Sequence, residues 1–66
     1  AYDKDIFMAV VKNIDKGVWL KSEERGRIEY TDTFSKSMIL YDEYDAECLI
    51  EYLNYNLPDC FMLCKI

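Results

Sequence analysis

The segment YDEYDAECLIEYLNYNLPD, residues 41–59, constrains this chain more than any other. Asp42 is of the type that caps a helix N-terminus. Glu43 and Asp45 place carboxylates in the first turn, at the positive end of the helix dipole. Pro58 ends the pattern, because the residue before a proline is pushed out of helical geometry. The spacing therefore predicts one helix over 43–55. At 100° per residue, Ala46, Leu49, Ile50, Leu53 and Leu57 fall on one side, a stripe that must be covered. With 66 residues in all, one domain spanning 1–66 is expected, and only the remaining segments can supply that cover.

Those segments read as strands. DIFMAVVK (5–12) is rich in β-branched and aromatic residues, and NIDKG after it has the Asn, Asp and Gly of a turn. GVWLKS (17–22) is the second strand, and Trp19 anchors it at the core or core edge, where it is also suited to an interface. EERGR (23–27) reverses the chain, with Gly26 supplying a positive φ. RIEYT (27–31) alternates, with Ile28 and Tyr30 on one face. TDTFSKS (31–37) is either a short helical turn or a loop, and MILY (38–41) is a short apolar run. CFMLCKI (60–66) is the last strand, with Cys60, Met62, Cys64 and Ile66 on one face and Phe61 and Leu63 on the other. The class is α+β: a small, mainly antiparallel sheet made of a three-strand meander, a short element and a C-terminal strand, with one helix packed on one face.

A size this small buries only roughly 60% of its unfolded surface. The 52% apolar composition and ten aromatic residues offset that, and they argue against disorder. Three cysteines, Cys48, Cys60 and Cys64, form no disulfide framework. Two of them four residues apart on a strand lie roughly 13 Å apart, beyond bridging distance. Reduced thiols are expected, with Cys60 and Cys64 as core fillers. No apolar run reaches bilayer length, and the opening AYDKDIF lacks the basic-then-apolar order of a secretory leader. No membrane association and a cytoplasmic location follow as expectations.

The motifs WLK (19–21), EYTDTFSKS (29–37) and DAE (45–47) resemble the small uncharacterised proteins encoded by phages and prophages of Gram-positive bacteria. There a threonine-aspartate turn precedes a short helix, and a DAE helix start follows. The resemblance covers nearly the whole chain and implies an origin and a fold, not an activity.

Chemistry is constrained by what is missing. No histidine is present, which removes the commonest general base and zinc ligand. A metal site would need all three cysteines plus a carboxylate, at spacings that do not chelate easily. Gly17 and Gly26 belong to no phosphate-binding loop. No catalytic, cofactor or metal residues are assigned, and a non-enzymatic role is expected.

The net charge of -5 is local. Between Lys36 and Lys65 there is no Lys or Arg, while Asp42, Glu43, Asp45, Glu47, Glu51 and Asp59 all lie there. Direct nucleic-acid binding is disfavoured, since it needs a basic footprint. On the helical wheel Tyr44, Cys48 and Tyr55 oppose the leucine stripe, flanked by Glu51 and Tyr52. Tyr44, Glu47, Cys48, Glu51, Tyr52 and Tyr55 are therefore the candidate partner-binding residues of a protein-interaction module that binds a host or phage protein. The bland alternative is that the rings lie over neighbouring side chains with hydroxyls in water. Two other readings stay open: a homodimer stabilised through a helix face or sheet edge, and an acidic surface that imitates nucleic acid to block a DNA-binding protein.

Overall fold

The computed structural model describes residues 6–66, so Asp5, the expected start of the first strand, lies outside the described residues. Four strands and one helix follow in the order β1 (Ala9–Asn13), β2 (Val18–Glu24), β3 (Arg27–Thr31), a 3-10 turn (Phe34–Lys36), α1 (Glu43–Asn56) and β4 (Phe61–Lys65). All pairings are antiparallel and the sheet order is β3-β2-β1-β4. The protein is a small α+β domain, and the TDTFSKS segment resolves as the short helical turn.

The ends of α1 follow from its sequence. Asp42 accepts a hydrogen bond from the Tyr44 amide at 3.1 Å, satisfying one of the free N–H groups of the first turn. At the other end Leu57 is extended (ψ 150°), as its neighbour Pro58 requires. The buried face carries Ala46 and Leu53, with Leu49, Ile50 and Leu57 half-buried at its margins. These meet Val11, Leu20 and Phe61, and Tyr30 stacks on Phe61 with ring centroids 6.5 Å apart.

The first strand departs from expectation at both ends. It begins at Ala9 rather than at residue 5: the register with β4 runs to the Ala9–Lys65 pair, and one further backbone bond joins Ile66 to Met8. It ends at Asn13, which the sequence assigns to the turn. Asn13 is fully buried, yet its amide donates to Asp59 (2.9 Å) and its side-chain oxygen accepts from the Lys16 amide (3.0 Å). A buried amide satisfied on both sides costs little and fixes the turn that follows.

The MILY run has a structural role that its short length conceals. β1 and β2 pair only at Lys12–Trp19 and Asn13–Val18, and beyond that point residues 38–40 lie between them. The Met38 amide donates to the Leu20 carbonyl (2.9 Å). Leu40 and Ala9 exchange both of their backbone bonds (2.7 and 3.0 Å). This wedge satisfies backbone groups that the splayed strands would otherwise leave open, and Ala9, Val10, Val11 and Leu20 all become buried.

Two cysteines expected in the core are not there. Cys60 precedes β4 and is exposed, and Cys64 is only half-buried. The alternation along β4 is as expected, with Phe61 and Leu63 toward α1; on the opposite sheet face Val10 is buried, but Met62 and Ile66 at the β4 side stay exposed. Trp19 lies on that second face, opposite in parity to core Leu20, half-buried against Phe34 in an edge-on contact of 5.0 Å with Lys12 Nζ 5.3 Å from its ring.

Candidate interaction surface

The outward side of α1 rests on the anchoring of its inner side. Once Leu53 and Ala46 face the sheet, positions 44, 48, 51 and 55 must form a line on the opposite side, each three or four residues from the next. Tyr44 and Tyr55 are 72% and 90% exposed, and Cys48 and Glu51 between them are exposed as well. With a rise of 1.5 Å per residue, the two tyrosines stand about 16 Å apart along the axis.

The six candidate residues are not one patch. Tyr44, Cys48, Glu51 and Tyr55 make the ridge. Tyr52 leans off it toward the β2–β3 hairpin: a Cβ at Gly26 would lie 3.8 Å from the Tyr52 hydroxyl, and the ring is 42% exposed. Glu47 falls on the other flank, the side from which Asn54 reaches β4. Tyr41, just before the helix, is 64% exposed. The wheel could not assign it because it precedes the cap.

Electrostatics along the ridge are one-sided. Tyr44 has Cys48 one turn on as its neighbour on the ridge. Interaction with the Cys48 side chain, with the Asp45 and Glu51 carboxylates adding to it, holds the phenol above the ordinary tyrosine value. No basic side chain stands in the last turn of the helix. The ridge thus presents phenol rings, hydroxyl donors and carboxylate acceptors.

Among the described residues no group of three or more Cys, Asp or Glu lies close enough together to hold a metal ion, and no helix is long and apolar enough to cross a membrane. The grooves are open: one is lined by Glu24, Arg25 and Arg27 at the hairpin tip, another by Ile6, Phe7, Met8, Glu43, Lys65 and Ile66 beside the helix start. Neither places a nucleophile beside a base. Comparison with family models, with curated proteins and with solved structures finds no match to this chain.

Proposed function

We propose that this protein is a small non-enzymatic interaction module that binds a protein partner through the α1 ridge of Tyr44, Cys48, Glu51 and Tyr55. The observation that carries the proposal is the exposure of Tyr44 and Tyr55 on a helix whose other face is fully used by the core. Tyrosine supplies large contact area with few rotatable bonds, and a partner that buries such a ridge gains both apolar area and hydroxyl hydrogen bonds. The acids around it select a partner with basic groups at the contact and speed its approach. A cytoplasmic setting accords with three free cysteines. A phage or prophage origin, and hence a host or phage protein as partner, rests on the WLK, EYTDTFSKS and DAE motifs alone.

Site-specific photo-cross-linking tests the proposal. Benzoylphenylalanine at position 55 should give a discrete adduct in the native cell, and the same group at Lys21, on the opposite side of the sheet, should not. Tyr44→Ala with Glu51→Lys should remove the adduct without lowering the thermal unfolding midpoint, because both residues are exposed. An adduct that survives both substitutions sinks the proposal.

A further inference from the structure

The outer edge of β4 is only half closed. Its ladder with β1 uses the even positions: the Ile66 amide donates to Met8 (2.9 Å) and the Ile14 amide to the Cys60 carbonyl (2.8 Å), so hydrogen bonding toward β1 recurs at every second residue. Phe61, Leu63 and Lys65 consequently direct their N–H and C=O groups away from the sheet. At Phe61 those groups are taken by one side chain, since the Phe61 amide donates to Asn54 Oδ1 (2.9 Å) and Asn54 Nδ2 donates back to the Phe61 carbonyl (3.4 Å). Asn54 substitutes there for a neighbouring strand. Leu63 and Lys65 have no such partner among the described residues.

We infer that this edge pairs with the β4 edge of a second copy, antiparallel about a two-fold axis through Cys64, to give a continuous eight-stranded sheet. The register follows from the groups left open. Placing Leu63 opposite the partner's Lys65, and Lys65 opposite the partner's Leu63, makes two hydrogen-bonded pairs, each exchanging both bonds, and leaves Asn54 undisturbed. Shifting by one pair in one direction sets Leu63 against itself and needs the Phe61 groups that Asn54 holds. Shifting the other way leaves Lys65 against itself as the only bonded pair within β4.

The side chains fit the same register. Met62 and Ile66 lie on the sheet face opposite α1 and are 51% and 60% exposed. In this arrangement Met62 stands opposite the partner's Ile66 and Ile66 opposite the partner's Met62, with the two Cys64 side chains between them. Self-complementarity of this kind is what a two-fold interface demands, and pairing removes an edge that a small sheet would otherwise expose. The inference is independent of the α1 ridge, which faces away from this strand.

Cys64 reports on the register directly. It faces its counterpart in a pair without hydrogen bonds, where Cα atoms are about 4.5 Å apart, within the range a disulfide spans. Variants keeping one cysteine each are treated with diamide at 0.15 M salt, where the screening length of about 8 Å limits repulsion between the Glu43 and Glu47 flanks of the two helices. The Cys64-only protein should form linked dimer at least about tenfold faster than the Cys48-only or Cys60-only proteins, although both of those thiols are the more exposed. In sedimentation the unmodified protein should be dimeric and Lys65→Pro monomeric, because proline there removes an outward donor and leaves the β1 ladder intact. Met62→Glu, a change on the exposed face, should also dissociate the dimer, and circular dichroism confirms that each variant is folded. Equal cross-linking at all three cysteines, a protein still monomeric at about 1 mM, or a folded Lys65→Pro that dimerises as before would each overturn the inference.

Discussion

Arg25 and Gly26 turn the β2–β3 hairpin with φ values of 53° and 86°, the pair of positive angles that a two-residue type I′ turn requires. Glycine accepts that geometry freely, whereas arginine is strained in it. Arg25→Asn should therefore stabilise the domain by about 0.5–1 kcal/mol in urea unfolding, since asparagine tolerates the left-handed region. A neutral or harmful result would show that Arg25 makes a compensating contact. Gly26 is legible in the sequence as a turn residue, but the strain at Arg25 is not, because it depends on the turn being only two residues long. The Tyr44–Cys48 pair gives a second residue-scale test. An acid with a raised folded value keeps its proton longer than in the unfolded chain, so its contribution to stability is present below pH about 10 and is lost as pH rises through the raised value. Cys48→Ala removes the first cause of that rise, and the Tyr44 ring signals in an NMR titration should then move at lower pH than in the parent protein. An unchanged midpoint would assign the effect to the carboxylates instead.

Helix α1 is the element most fully written in the sequence, because capping by Asp42, the leucine stripe and Pro58 agree with one another. The wheel identified the five residues of the inner stripe but could not rank them, since rank depends on where the strands lie beneath. Leu53 is fully buried and Leu49 only half, so Leu53→Ala should cost about 3–5 kcal/mol and Leu49→Ala clearly less, measured by chemical denaturation. Equal losses would mean that the helix is rotated from the position described. The wedge at 38–40 was legible only as a run of apolar residues. Three residues show no periodicity, and their partners, Ala9 and Leu20, are distant in sequence. Hydrogen exchange tests it: the Met38 and Leu40 amides should be protected like strand amides although both lie outside the four main strands, with Ile39 between them fast. The misjudged cysteines have a similar origin. Alternation placed Cys64 and Met62 correctly on one face, but alternation does not reveal that α1 covers the other face and leaves the β4 end of this one exposed.

At the scale of the whole molecule the charges are divided between sequence halves, and the division has an energetic consequence. The carboxylates at Glu43 and Asp45 are favourable because they meet the helix dipole, but Glu47 and Glu51 are four residues apart on the same helix, a like-charge spacing that destabilises by about 0.2–0.5 kcal/mol. With no Lys or Arg between Lys36 and Lys65, no i, i+4 partner within the helix relieves it. Glu51→Lys would replace repulsion by a Glu-to-Lys pair in the favoured order and should raise stability by about 0.5–1 kcal/mol at low salt, with the gain shrinking as salt is added. If the ridge is a docking surface for a basic partner, the same substitution should weaken binding, so stability and association would move in opposite directions. Thermal unfolding at two salt concentrations, set beside the photo-cross-linking yield at position 55, reads both quantities on one variant. A gain in stability with no loss of adduct would leave Glu51 as an ordinary solvated acid and would confine the contact to the tyrosines.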